Sequence, residues 1–479
     1  MWAKRGSAIG QPTTEAPRMG ALKVFASVLA VAALAAWLLF SGSDARTALV
    51  LLLVLLPFLA WFVCRPLLNP FYISPVAATG LIIGMIGTFG YLLRDALYGQ
   101  GGASIIIRLD EATALRTLVL VSVSATIVIV VGSFATVLFT NRREGRLSRP
   151  SKLTWTAPKP HPVILILLAL PLVYYLATSG LQPFIERSAY LSGEQGSFAS
   201  SVITQLVTLA VVLLGFVVAR GTGGTRVLGW MLLIAYVLMI GSFGSRRFAL
   251  IPVLFALGVF LAGNTRKARW GLILGGALTF LLLPLPLDFR SSVTHGIVPY
   301  TAIFLAHDWF AADYLSALNN VLIGFPIIGQ SAYGGAYVSW SDIAVSLNPL
   351  PGDSAGFYDI SQRLRLNAYT PMAGIGELGN VGWGAVIAVI GGAAVLLAWF
   401  EAIVRERVSS GGLLYAGVVM GLVALFALQM TQYNLRLASR LLTYLLVIEI
   451  ARRVFLLLKQ KKRRPTAVAA DRRSSPATL

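Results

Sequence analysis

Three arginine-bearing stretches carry the chemistry this chain offers. GSFGSRRFAL (241–250) sets Arg246 beside Arg247, SQRLRL (361–366) holds Arg363 and Arg365, and QMTQYNLRLASR (429–440) holds Arg436 and Arg440 four apart. Each lies at the border of an apolar run. Guanidinium forks bind phosphate oxygens bidentately and stay ionised at any biological pH, so converging arginines point to a phosphate or pyrophosphate ligand. Arg290 is a further candidate for that ligand. The bland alternative is snorkelling, in which an arginine near a helix end only reaches headgroups. Candidate acids and bases are His307, with Asp308 and Asp313 on the same predicted helix to orient it, and Glu377 between glycines. A carboxylate at a helix start is also favoured by the macrodipole alone. Trp309, Tyr337, Trp340 and Tyr433 offer rings on which sugar faces can stack, and each also suits packing or a membrane interface.

The elements that must position these residues follow from composition. Of 479 residues, 57% are apolar and 12% charged, against roughly 25% charged in soluble proteins. The net charge is +20. Few charges on so apolar a chain exclude a soluble enzyme, a disordered tail protein and a nucleic-acid binder, and leave an integral membrane protein. The single cysteine, Cys64, allows no internal disulfide.

Apolar runs predict twelve spanning helices, at about 23–41, 47–63, 74–93, 112–140, 162–179, 199–219, 227–243, 248–263, 271–287, 382–400, 411–430 and 440–458. The first is long for a signal-peptide core and reads as a retained span. With the N-terminus inside, 27 of the 39 Lys and Arg fall in cytoplasmic segments, and 13 of the 19 acids fall outside. That split favours both termini in the cytoplasm. The expected layout is a cytoplasmic segment 1–22, nine spans in 23–287, one large exterior loop 288–381, three spans in 382–458 and a basic, disordered tail 459–479. The tail would lie against anionic lipid heads.

A loop as long as 288–381 is usually functional. Its first part, 297–326, places His307, Phe310, Tyr314 and Leu318 at helical spacing and predicts an amphipathic helix on the outer surface. LNPLPGD (347–353) is turn chemistry. GIGELG (374–379) has the spacing of a dinucleotide fingerprint, yet it follows no strand-like run and opens a span, so it carries no weight as one. No GxxxxGK[ST] loop, HExxH or CxxC occurs. Glu449 is the only acid the pattern places well inside a span, which speaks against a transporter with charges spread through its core.

GSRR after a mid-chain span, NPLP within the large loop, GELGNVGWGA leading into the next span and RPLLNPFYISP (65–75) together resemble bacterial oligosaccharide repeat-unit polymerases of the Wzy type. The resemblance covers about residues 60–440 in layout, and related O-antigen ligases share that layout. It implies an all-α, GT-C-like, metal-independent glycosyltransferase without a cofactor, in the bacterial inner membrane. Its substrate would be a polyprenyl-pyrophosphate-linked oligosaccharide, with a chain-length regulator and a flippase as candidate partners beside membrane lipids. Carried over residue by residue, the pyrophosphate-binding role falls on Arg246, Arg247, Arg363 and Arg365, with Arg436 and Arg440 as further candidates. A functional histidine, as in the ligases, maps nearest to His307. The family's exterior is described as strongly cationic; here it nets −1. The alternatives that stay open are a ligase-type transfer to another acceptor and, from another class, a polysaccharide transporter.

Overall fold

The computed structural model describes residues 45–68, 74–99, 108–141, 159–188, 198–245, 247–263, 265–350, 352, 354–367, 370–409 and 413–471. The expected span 23–41, the segment 1–22 and Arg246 lie outside the described residues. Among the described residues the chain is all-helical, with two isolated backbone bridges, Arg187–His295 and Arg365–Pro371. The helices are α1 (Ala45–Cys64), α2 (Pro75–Leu92), α3 (Arg94–Gly99), α4 (Glu111–Asn141), α5 (Val163–Ser179), α6 (Gln182–Ile185), α7 (Phe198–Arg220), α8 (Gly224–Ser242), α9 (Arg247–Ala262) and α10 (Arg266–Leu282). They continue with α11 (Leu285–Ser291), α12 (Ile297–Ala306), α13 (Tyr314–Leu322), α14 (Gly324–Tyr333), α15 (Trp340–Leu347), α16 (Phe357–Ser361), α17 (Gly374–Val381), α18 (Trp383–Ser409), α19 (Leu413–Gln432) and α20 (Leu435–Asp471).

Every expected span from 47 onward falls on a helix, but among the described residues seven segments are both long and apolar enough to cross a membrane. They are α1, α2, α4, α8, α10 running into α11, α18 and α19. Of the others, α5 and α9 are 17 and 16 residues long, and α20 carries Arg440, Glu449, Arg452 and Arg453 along its apolar stretch. Outward-facing rows such as Trp270, Ile273, Leu274 and Leu278 on α10 leave a large apolar surface exposed. Soluble proteins rarely tolerate such a patch, whereas lipid covers it.

Small residues set the closest helix contacts. Gly87 of α2 lies on Val121 of α4, where a Cβ would come within 2.6 Å of the valine side chain. Gly215 of α7 and Gly258 of α9 lie against each other's backbones in the same way. One apolar core joins α2, α4, α14, α17, α18, α19 and α20, and a second joins α5, α7, α8 and α9.

Three expectations change. The stretch 297–326 is not one surface helix. It breaks between His307 and Asp313, and α14 beyond it is buried, with Phe325 against Gly90 of α2 and Gly329 against Thr117 of α4. Asp308 accepts the Phe310 and Ala311 N–H groups and Asp313 caps α13, so both aspartates shape the break instead of riding a continuous helix. Second, Glu401 is as buried as Glu449: it sits at 0% exposure on α18 and takes a 2.6 Å hydrogen bond from the Ser74 hydroxyl. Third, α20 runs to Asp471, so the first part of the tail read as disordered is helical. Its Lys, Arg and Ala are strong helix formers.

Candidate functional site

The described candidates, Arg246 not among them, form a group drawn from the 288–381 segment, the start of α9 and the turn between α19 and α20. Two backbone contacts organise it. The Gly374 N–H donates to the Tyr433 carbonyl at 2.8 Å, and the Leu435 N–H donates to Glu377 Oε1 at 3.1 Å. They tie the start of α17 to the turn between α19 and α20. Glu377 is fully buried, and its Oε2 has no hydrogen-bond partner. Burial pushes its carboxyl up; the Leu435 N–H opposes this and the nearby Asp342 charge adds to it, leaving Glu377 at about 8. The glycines of GIGELG serve packing: a Cβ on Gly376 would come within 2.8 Å of the Ile328 carbonyl. Asn380 completes the motif by donating to the Ser331, Ala332 and Ala336 carbonyls and accepting the Val338 N–H.

Arg436 is committed elsewhere than to an open site. Its Nη1 donates to the Val345 and Asn348 carbonyls at 2.9 and 3.2 Å, its Nη2 donates to the Leu350 carbonyl, and its plane lies 4.6 Å over Phe357. It is 3% exposed. The stretch from Val345 to Leu350 therefore folds around this guanidinium, which satisfies carbonyls left open where α15 ends. Arg440, one turn on, is half-buried, and no side-chain bond fixes it among the described residues. Arg363 pairs with Asp342 at 2.9 Å. Burial pushes Asp342 up, but the Ser339 N–H and hydroxyl and the Arg363 guanidinium more than reverse it, so its carboxyl sits below the usual carboxylate range. Arg365, Tyr337 and Trp340 are exposed on the same segment.

The GSRR turn borders this group. Arg247 opens α9 and lies within electrostatic reach of the half-exposed Tyr433 phenol. Gly244, at φ +59, makes the turn possible. Its carbonyl accepts Arg290 Nε at 3.3 Å. On the far side of that turn stands His307. Its Nδ1 meets Asp288 Oδ2 at 2.9 Å, and the ring lies edge-on to Trp309 at 4.5 Å. Its Nε2 is buried without a hydrogen-bond partner. The carboxylate beside the imidazole is thus Asp288, not Asp308 or Asp313.

No protein family, curated protein or solved structure matches this chain.

The structure brings Arg247 to Tyr433, Arg436 towards Arg440, and Glu377 towards Asp342 and Arg363. It links His307 to the arginine turn through α11 and through Tyr300 of α12. Asp288, Asp342 and Tyr300 escaped the sequence reading. Asp342 had a signal, since Ser339 and Asp342 have capping-box spacing and form that box. Asp288 had none, being nineteen residues from His307. Among the described residues no three His, Cys, Asp or Glu side chains gather as a metal site.

Proposed function

We propose that this chain is a membrane glycosyltransferase that polymerises polyprenyl-pyrophosphate-linked oligosaccharide repeat units on the outer face of the bacterial inner membrane, with both termini cytoplasmic. The observation that carries the reading is the GSRR turn: it seats Arg247 at the start of an apolar helix, beside an exposed tyrosine whose carbonyl is bonded to the start of α17. A lipid-linked pyrophosphate presents its charge at that depth. In the reaction the anomeric C–O bond to the pyrophosphate breaks and its electron pair leaves with the phosphate. The acceptor oxygen bonds the anomeric carbon and its proton passes to a base. Charge grows on the pyrophosphate as the bond breaks, so a fixed guanidinium stabilises the transition state more than the ground state. His307, with Asp288 on one ring nitrogen and the other unpartnered, is the best-prepared base. Arginine supplies the counter-charge, so the reading needs no metal or cofactor.

The same imidazole supports a second reading, transfer of the finished glycan to a different acceptor, as in the O-antigen ligases. Purified protein incubated with a lipid-linked repeat unit separates them. A ladder on the lipid supports polymerisation, and a single product on another acceptor supports ligation. Neither product, with substrate carried across a bilayer, would mean a transporter and overturn both.

A further inference from the structure

Helix α11 carries three successive residues that reach three different parts of the site. Asp288 meets His307 Nδ1. Phe289 stacks on Tyr300, with centroids 4.4 Å apart and planes 14° from parallel. The Tyr300 hydroxyl pairs with His295 Nδ1 at 2.8 Å and abuts Gly244, where an added Cβ would come within 2.9 Å of it. Arg290 reaches the Gly244 carbonyl, three residues before Arg247. We propose that Asp288, Phe289 and Arg290 form a positioning strap that sets His307 and the Arg247-bearing turn against each other, so that base and leaving-group cation address one pyrophosphate-linked sugar. The proposal rests on the glycosyl-transfer reading above.

The physics favours a strap over three unrelated contacts. Successive helical residues point about 100° apart, so one short helix can address three neighbours. The strap is anchored, because Leu285, Pro286 and Phe289 are buried in a small core with Tyr300 and Phe248. A carboxylate at Nδ1 keeps the proton there and leaves Nε2 with the lone pair a base requires. The Gly244 turn is held from within by the Ser245 hydroxyl, which accepts the Arg247 N–H at 3.3 Å, and from outside by Arg290 and Tyr300. A misplacement of about 1 Å between reacting groups can reduce rate about 100-fold.

The test uses the full chain in lipid nanodiscs, with Asp288→Ala and Arg290→Ala. The protein has three histidines, His161, His295 and His307, so a nitrogen-15 histidine spectrum is resolvable and His307→Gln assigns its signal. Asp288→Ala should move the His307 signal and lower kcat about 100-fold with KM kept. It should leave competition by inorganic pyrophosphate unchanged. Arg290→Ala should leave the His307 signal in place, raise the donor KM and weaken pyrophosphate competition about tenfold, one hydrogen bond's worth. Arg290→Lys, which keeps a donor, should recover part of that loss. An unmoved His307 signal in Asp288→Ala, or unchanged pyrophosphate competition in Arg290→Ala, overturns the strap. Wild-type protein that transfers no glycan overturns the parent reading instead, while the His307 signal still tests Asp288.

Discussion

Arg247 and Arg436 look alike in the sequence, as boundary arginines beside apolar runs, and the structure separates them. Arg436 spends its guanidinium on three carbonyls and a ring. Arg436→Ala should therefore cost stability, since hydrogen bonds to a charged group are worth about 1.5–3 kcal/mol each. A lowered unfolding temperature and poor accumulation are expected, and Arg436→Lys should not rescue them because an ammonium cannot fork. Arg247→Ala should abolish polymer in protein that still inserts. Normal-length polymer from that variant would remove Arg247 from the site. Spacing made both arginines visible as candidates, but it carries no information on which carbonyls a distant turn brings near. Glu377 gives a pH test. Its folded value of about 8 lies above the usual 4.5, so the folded chain keeps a proton that the unfolded chain releases. Its stabilising contribution is complete below pH 4.5 and is lost as pH rises through about 8. Glu377→Gln, which mimics the protonated form, should match wild type at pH 4.5 and unfold at a higher temperature at pH 9. Parallel curves for the two proteins would remove the burial effect.

At the scale of elements, the apolar runs were legible because a stretch of about 20 apolar residues has few alternatives to a helix. The 288–381 segment was less legible, for a reason its residues show. Asp308 and Asp313 fit a helical stripe by spacing and fit turns by hydrogen bonding, and only the packing of α14 into the bundle decides between the two. GELGN was legible as a motif but not as a joint. Its role depends on Asn380 closing the 331–338 turn from four sides. Asn380→Ala should lower stability by at least about 2 kcal/mol, from bonds worth about 1 kcal/mol each. Asn380→Asp should be nearly as harmful, because three of the four bonds need the amide as donor. Thermal unfolding of both variants checks this; an aspartate variant as stable as wild type would show that the three donated bonds contribute nothing.

At the scale of the whole molecule, side-chain and backbone contacts fall into two groups. Near the segments expected to be cytoplasmic, Ser74 meets Glu401, Leu67 meets Arg405 and Tyr415 meets Glu449. Near the segments expected to be exterior, Arg116 meets Tyr333, Gly244 meets Arg290 and Tyr433 meets Gly374. The prediction is that Tyr337→Cys, at a site 78% exposed, reacts with a membrane-impermeant thiol reagent in cells whose inner membrane is reached from outside. Ser475→Cys should react only after the membrane is opened. Native Cys64 is buried and is replaced by serine to keep the background silent. Labels with the reverse pattern would put the arginine turn on the cytoplasmic side, where the positive excess would then have to be exterior. Polymerisation on the outer face would fail with it, because lipid-linked donors there would never meet Arg247.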